Sequence, residues 1–246
     1  MENIYSFDTI SLEEMKGVKL MNRIDTKFVT HIDNLQKLLE LVNNEYSILE
    51  IDGKRVIKYC TSYYDTESYD MYRQHQRCHV NRQKIRFRTY VDTGLEYLEV
   101  KTKENHGRTI KSRIQAGNGD FGGSNVETFL DNNSKYTTSE LMHTLDTSFS
   151  RITLVNRNRT ERVTIDTNIT FLNQKNGIKK HWDDVAIIEL KRNRIEKSVM
   201  LDNMRQLRIH PHAFSKYCIG ITITTPDISG GRFKNELAEI FRIIKH

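Results

Sequence analysis

The stretch Lys84-Ile-Arg-Phe-Arg88 alternates basic and apolar side chains and decides the predicted fold. Successive side chains of a β-strand point to opposite faces of its sheet, so this order predicts a strand with one basic and one apolar face. The same alternation recurs in the segments 98–103, 110–114, 162–166 and 188–191. Together the charged faces would carry Lys84, Arg86, Arg88, Glu99, Lys101, Lys103, Lys111, Arg113, Arg162, Asp166, Glu189 and Lys191.

The signs of these charges are unbalanced, with nine basic and three acidic residues. Without them, the 38 basic and 32 acidic residues of the chain fall to 29 of each sign, so this set accounts for the net charge of +6. An ordinary antiparallel sheet with one face in water also alternates, and the pattern alone leaves that explanation open. Because an unpaired charge in a dry interior costs on the order of several kcal/mol, so many facing cations predict a water-filled lumen that holds a polyanion.

Segments rich in β-branched and aromatic residues predict about eight strands, at 56–65, 83–91, 95–103, 109–115, 150–155, 162–167, 185–192 and 218–224, after a strand-like segment at 23–30. Apolar spacing predicts helices at 33–43, 198–208 and 234–244. Asp33 would cap the first of them, Ser11 would open a short helix, and Ser124 with Glu127 would form a capping box.

We therefore expect an α+β fold in which an antiparallel, eight-stranded β-barrel or tunnel is flanked by helices. A single domain would span residues 1–246, with its core at about 23–221 and a C-terminal helix at about 233–245.

Composition argues against several classes of protein. The N-terminal stretch lacks a signal-peptide pattern, and no segment approaches the roughly 20 apolar residues that span a bilayer. Cys60, Cys78 and Cys218 lie far apart without a C-x-x-C pair, which indicates neither a disulfide framework nor structural zinc. We expect a cytoplasmic protein.

A nucleic-acid partner is not expected. Phe87 alternates away from the basic face, so it provides no aromatic surface there on which a base could stack.

Three other features have ordinary structural explanations. His75 and His79 have the spacing of a metal pair but no third ligand nearby, so we interpret them as loop or helix-surface residues. Trp182 could stack on a base, but packing at the entrance of a strand is its more common role. Asp65 is expected to make structural hydrogen bonds.

Eight short motifs follow one another along the chain: Arg23-Ile-Asp-Thr-Lys27, Tyr64-Asp-Thr66, Lys84-Ile-Arg-Phe-Arg-Thr-Tyr90, Leu98-Glu-Val-Lys101, Lys111-Ser-Arg113, Arg162-Val-Thr-Ile-Asp166, Ile188-Glu-Leu-Lys191 and Phe214-Ser-Lys-Tyr217. In this order they resemble the VTC domain, the polyphosphate polymerase domain of the vacuolar transporter chaperone. That domain is a branch of the triphosphate tunnel metalloenzymes, within the CYTH-like superfamily. No single motif is specific, and the resemblance lies in the ordered set.

This resemblance implies a metal-dependent phosphotransferase. Its tunnel would bind ATP with Mn²⁺, or with Mg²⁺, and transfer the γ-phosphate to a growing polyphosphate chain without a protein nucleophile. By motif, the catalytic residues would be Lys27, Arg86, Arg88 and Lys216. The other phosphate-binding residues would be Lys101, Lys111, Arg113, Arg157, Arg162 and Lys191. Glu189 would bind the metal, with Glu99 as a second ligand, and ion pairing with Lys101 or Lys191 of neighbouring strands is the alternative role of both carboxylates.

The first motif departs from the wider superfamily, because Arg23-x-Asp25-x-Lys27 stands in place of Glu-x-Glu-x-Lys. The change removes one potential metal carboxylate and favours a polymerase. Hydrolysis of inorganic or nucleoside triphosphate on the same fold and non-catalytic polyanion binding remain as alternatives. The expected partners are ATP and polyphosphate or triphosphate. Nothing in the sequence resembles the family's regulatory SPX domain or membrane segments, which leaves any membrane association to a separate membrane protein.

Overall fold

The computed structural model describes residues 2–16, 18, 23–104, 109–193 and 197–245. Within these ranges the strands are β1 (Asp8–Ile10), β2 (Arg23–His31), β3 (Tyr46–Leu49), β4 (Ile57–Asp65), β5 (Arg82–Tyr90), β6 (Leu95–Lys103), β7 (Thr109–Gln115), β8 (Met142–Asn156), β9 (Glu161–Asn173), β10 (Lys179–Trp182) and β11 (Val185–Asn193). The α-helices are α1 (Leu12–Lys16), α2 (Ile32–Val42), α3 (Asp70–Gln76), α4 (Ser124–Asn133), α5 (Val199–Gln206), α6 (Lys216–Thr224) and α7 (Arg232–Ile244). Short 3-10 helices lie at Glu2–Ser6, Asn118–Asp120 and Thr138–Glu140. Of the helices in the described ranges, none is long and apolar enough to cross a bilayer.

All of these strands belong to one sheet. Its main path is antiparallel, in the order β2-β11-β9-β8-β4-β5-β6-β7. Strand β10 pairs with β9, while β3 pairs with β8 and, in parallel, with β1. The predicted α+β class is confirmed. Strands β1, β3 and β10 are only three or four residues long, too short for an alternation to stand out in the sequence.

The apolar residues of the alternating strands lie on the outer face of the sheet, beneath helices. Ile85, Phe87 and Leu98 pack with Val126 and Leu130 of α4. The strands at the other end of the path pack in the same way against α2 and α5, through Phe28, Val163, Ile165, Ile188 and Leu190. Each fully buried side chain of this kind contributes roughly 1.5–3 kcal/mol. This packing fixes the register, because a shift by one residue would exchange the two faces.

The inner face of the sheet has an apolar end and a charged end. At the apolar end, Val29, Phe149 and Ile187 pack with Tyr217 and Ile221 of α6, together with residues of α7. Two residues further along their strands, the same face carries Lys27, Arg151 and Glu189. Helices α6 and α7 therefore cover part of the inner face and leave the charged part as the candidate site.

The segment 218–224 was predicted as a strand, and this prediction is wrong because the segment belongs to α6. Its β-branched residues favour a strand, but Ser215 caps the helix, and Ser215 Oγ accepts the Cys218 N–H at 3.3 Å. Gly220 allows close contact with the sheet, since an added Cβ would lie 2.6 Å from Leu145 and 2.7 Å from Phe171. Packing on nearly all sides of α6 outweighs its intrinsic propensity.

The main path has the eight strands expected of the barrel or tunnel, but strand pairing among the described residues does not close it. In the described part of the chain, the edge strands β2 and β7 do not pair with each other, so the sheet is open. One reason lies at the free edge of β2, where Phe28 forms a bridge with Pro211 and the His212 N–H donates to Lys27 O at 2.8 Å. This segment occupies the edge that a closing strand would need.

Two predicted helix caps differ as well. His31, and not Asp33, is the N-cap of α2, because His31 Nδ1 accepts the Asp33 N–H at 3.2 Å. Helix α4 begins after Gly123 without a side-chain cap, so Ser124 does not open a capping box. The short helix after Ser11 is confirmed as α1.

Candidate functional site

Basic side chains of β5, β6 and β7 form one wall of the charged face. Cross-strand neighbours place them in two rows, with Lys84, Lys101 and Lys111 in one and Arg86, Glu99 and Arg113 in the other. Arg88 lies two residues beyond Arg86 on the same face. Its Nε atom is buried without a hydrogen-bond partner in the described structure. Because a buried donor without a partner is costly, the wall presents Arg88 as a donor for an anion.

Glu99 is the carboxylate at the centre of this wall, and its side chain is only 1% exposed. Arg86 Nε and Nη2 both donate to Glu99 Oε2, at 2.8 and 2.6 Å, and Lys111 Nζ pairs with Oε1. Burial would raise the pKa of Glu99, but Arg86, Arg88 and Lys111 hold it well below its usual range. Both oxygens are therefore paired with cations, as in the ion-pairing alternative, although the partners are Arg86 and Lys111 instead of Lys101.

A second wall is formed by β2, β11 and β9. Lys27 stands opposite Glu189, and Lys191 stands between Asp25 and Arg162. Lys191 Nζ contacts Glu189 and lies 3.8 Å from Asp25 Oδ2. Burial would raise the pKa of Glu189, but Lys191 and Lys27 lower it to about 2, so the carboxylate is ionised.

The two walls converge on the segment that opens α6. Lys27 Nζ donates to Phe214 O at 2.7 Å, and Lys84 Nζ donates to Ser215 Oγ at 3.0 Å. Strands β2 and β5 are separated in the sheet by β11, β9, β8 and β4, yet their lysines reach consecutive residues. The sheet is therefore curved around its charged face, and the segment before α6 connects the walls.

Between the walls, Asp166 joins two further cations. Arg151 binds it through both carboxylate oxygens, at 2.6 and 2.8 Å, and Lys216 Nζ contacts Oδ2. The Lys216 ammonium also lies 4.3 Å from the centre of the Phe149 ring. Burial would raise the pKa of Asp166, but Arg151 and Lys216 hold it well below its usual range. Arg151 is absent from the sequence prediction, although it alternates with Ile152 on a predicted strand and the same pattern would have found it.

Several lysines of the site have depressed pKa values. Burial is the main cause for Lys84 and Lys216, and the pKa of each is lowered to about 8. For Lys101 the neighbouring Arg86 has the largest effect, and its pKa is lowered well below the usual value. Burial also lowers the pKa of Arg88, to about 10. Burial and, for Lys101, repulsion by Arg86 thus disfavour the charged forms, which an anion bound between the walls would favour.

Arg157 is the one predicted phosphate-binding residue that does not join this site. It follows β8 in the turn to β9, and its side chain is 56% exposed. Its guanidinium donates to Asn44 O and pairs with Asp8 at 3.0 Å. The other predicted residues, Lys27, Arg86, Arg88, Lys101, Lys111, Arg113, Arg162, Lys191, Lys216, Glu99 and Glu189, lie on the two walls or on the segment between them.

Carboxylates that could hold a divalent cation are few on this face. The described ranges contain no cluster of three or more His, Cys, Asp and Glu residues arranged to bind a metal. The side chains of Glu189 and Asp25 are 27% and 37% exposed, and both approach Lys191. Proteins commonly hold Mg²⁺ with one or two carboxylates and let substrate phosphates and water complete the shell. Glu189 and Asp25 fit that role, whereas the doubly paired Glu99 does not.

The remaining sequence features have structural roles. Asp65 accepts the N–H groups of Thr66, Met71 and Tyr72 at 2.7–2.9 Å, as predicted. Trp182 is buried and its ring packs against Phe171, which confirms the packing role.

A protein-family model of the VTC domain matches residues 22–225. The chain belongs to the VTC domain family. The match includes every residue of the two walls and the segment before α6, so the site lies entirely inside the VTC domain.

Two solved structures share the fold of this VTC domain. A candidate adenylate cyclase from Bacillus halodurans is 13% identical, with a TM-score of 0.52, and the match covers 79% of this chain and 96% of that one. A candidate adenylyl cyclase from Hippeastrum, described as having a dominant triphosphatase activity, is 11% identical with a TM-score of 0.50, covering 83% and 98%. No curated protein matched the sequence. At these identities the likeness establishes the fold of the VTC domain alone.

Proposed function

We propose that this VTC domain is a polyphosphate polymerase that transfers the γ-phosphate of ATP to a polyphosphate chain. One observation carries the proposal: Lys27 and Lys84, from strands that four others separate in a curved sheet, converge on one segment, Phe214–Lys216, between walls that carry more basic than acidic side chains. Family membership supports the same chemistry.

Phosphate oxygens supply the charge that the site lacks. Arg88 has an unpartnered donor, and Lys84, Lys101 and Lys216 have pKa values depressed by burial or by neighbouring cations. A chain of phosphates between the walls would pair with several of these groups simultaneously. Its affinity would therefore depend on the whole charged face and not on one residue. Arginine suits this role because its planar guanidinium binds two oxygens of one phosphate.

A divalent cation, Mn²⁺ or Mg²⁺, would be held by Glu189 with Asp25 as the second carboxylate. When bound, such an ion neutralises charge on the transferring phosphate oxygens. Glu99 takes no part in this, because Arg86 and Lys111 occupy both of its oxygens. Its role is to hold Arg86 in place on the wall.

The reaction proposed here needs orientation more than acid or base chemistry. An oxygen of the terminal phosphate of the acceptor, already ionised, forms a bond to the γ-phosphorus of ATP. The bond between that phosphorus and the β–γ bridging oxygen breaks, and ADP leaves with the electron pair. Lys216 belongs to the segment between the walls, Lys27 and Lys84 contact that segment, and the three would stabilise the charge that spreads over the γ-oxygens.

Product analysis tests the proposal. Purified protein is incubated with ATP, a short polyphosphate and Mn²⁺, and ADP, orthophosphate and chain length are measured separately. Polymerisation predicts ADP matched by phosphate added to the chain. Orthophosphate matched to ADP would instead indicate a triphosphatase of the same fold, and binding without turnover would indicate a polyanion-binding protein.

A further inference from the structure

A second group of basic side chains lies at one end of the β5–β6 pair. Arg82 and Lys103 are cross-strand neighbours at the first position of β5 and the last of β6. The next positions on the same face are Lys84 and Lys101 of the site already described. Arg82 and Lys103 therefore continue the basic rows of the first wall to the end of its strands.

The junction of α3 and α7 meets this end of the wall. Arg82 donates from Nε to His75 Nδ1 at 3.2 Å and from Nη1 to His79 O at 2.7 Å. Arg232, the first residue of α7, reaches the same segment and donates from Nη1 to the Cys78 sulfur. Strand β5 and helix α7 thus each bring a cation to α3 or to the segment that follows it, and Lys103 of β6 lies beside Arg82.

Little negative charge compensates these residues. Arg232 lies 3.3 Å from Glu236, but the described structure has no ion pair for Arg82 or Lys103. His75 adds no charge, because burial together with Lys84, Arg82, Arg232 and Lys103 holds its pKa well below the usual value.

We propose that Arg82, Lys103 and Arg232 form an outer subsite for long polyphosphate, through which the part of a chain that extends beyond the inner site leaves the protein. The inference rests on the proposed function, since it concerns the same ligand. The basic row of β5 from Arg88 to Arg82 spans about 20 Å at the rise of an antiparallel strand, so a long chain can contact both groups and a triphosphate only one.

The test compares how variants of the outer subsite change the affinity for triphosphate, which fits the inner site alone, and for long-chain polyphosphate, which can reach both. Lys103→Glu changes an exposed side chain, and Arg232→Ala provides a second variant. We expect each to weaken long-chain binding on the order of tenfold and to make the slope of log affinity against log salt less steep by about one or more. Triphosphate affinity should fall less, by no more than about threefold, since a triphosphate fills only the inner site and water and salt screen the exposed outer charges. Lys179→Glu, an exposed site on β10, is the matched control and should change neither.

Each other outcome overturns the inference. Equal loss for both ligands would place these residues in the inner site, and no loss for long chains would remove the subsite. A wild-type protein that makes polyphosphate but binds long and short chains alike would overturn this inference alone. A wild-type protein that binds neither would overturn the proposed function as well.

Discussion

Lys27 and Lys84 donate hydrogen bonds to consecutive residues, Phe214 and Ser215, although four strands separate β2 from β5 in the sheet. The sheet is open at its edges, so hydrogen bonding between strands does not close the site. The site is closed instead by the hydrogen bonds of the two lysines to the segment before α6. The position of α6 is therefore part of the site, and changes in its packing should affect both stability and ligand binding.

Gly220 provides a test of the packing of α6. We expect Gly220→Ala to lower the free energy of unfolding by roughly 1–3 kcal/mol, because the new methyl group would overlap Leu145 and Phe171. Gly119→Ala is the control, since a Cβ there meets nothing within 4 Å. Chemical denaturation measures both. Equal stability of the two variants would contradict the close approach of α6 to the sheet.

Arg88 and Arg157 should respond differently to the same substitution. We expect Arg88→Ala to reduce kcat/KM for ATP on the order of 10²–10³-fold, as removal of a preorganised charge donor usually does. Arg157→Ala should leave it unchanged, because that side chain is exposed and pairs with Asp8. Steady-state kinetics at fixed metal, with circular dichroism as a check on folding, decides between them. A large loss in Arg157→Ala would favour the motif-based assignment of that residue instead.

The two glutamates that the sequence predicted as metal ligands, Glu99 and Glu189, should separate into a structural and a functional residue. Glu99→Gln removes a buried charge paired with Arg86 and Lys111, so we expect unfolding free energy to fall by about 3–5 kcal/mol. Glu189→Gln should cost much less stability but raise the Mn²⁺ concentration required for half-maximal activity. Denaturant titration and metal titration measure the two effects. The reverse pattern, with metal dependence changed only in Glu99→Gln, would overturn the assignment.

Binding of triphosphate should take up protons near pH 8. The pKa values of Lys84 and Lys216 are lowered to about 8, and a bound polyanion favours their charged forms and raises these values. Affinity should therefore fall as pH rises from 7 to 9, by roughly tenfold per pH unit above 8 for each lysine that must be protonated. Calorimetry in buffers of different ionisation enthalpy measures the uptake.

Lys84→Arg is the matched variant for this measurement, because arginine stays protonated throughout the range. It should bind triphosphate with smaller proton uptake than the wild type. Proton release on binding, or an affinity that increases with pH, would contradict the charge balance described for the site.

The sequence pattern predicted the two walls of the site better than the residues between them. Alternation in β5 and β6 placed Lys84, Arg86 and Lys101 correctly because both faces of those strands are strongly specified, one by helices and one by charge. The same rule applied to β8 would have revealed Arg151, whose strand is more than twice as long as the predicted segment.

Other parts could not be predicted locally. The β-branched residues of α6 favour a strand, and the Ser215 cap together with burial against residues such as Leu145 and Phe171 makes the helix the stable form. The pairing of Glu99 with Arg86 and Lys111 depends on which strands are neighbours, which a linear pattern does not specify. Arg157 was predicted to bind phosphate because it lies near site residues in the sequence. In the fold it lies on an exposed turn and pairs with Asp8.

The fate of the γ-phosphate tests the central claim most directly. Purified protein is given Mn²⁺, a short polyphosphate acceptor and ATP labelled in its γ-phosphate, and the label is followed into chain and orthophosphate. The account predicts that label enters the lengthening chain in step with ADP formation, and that Arg88→Ala loses this transfer. Label that appears only as orthophosphate, or remains in ATP, would contradict it.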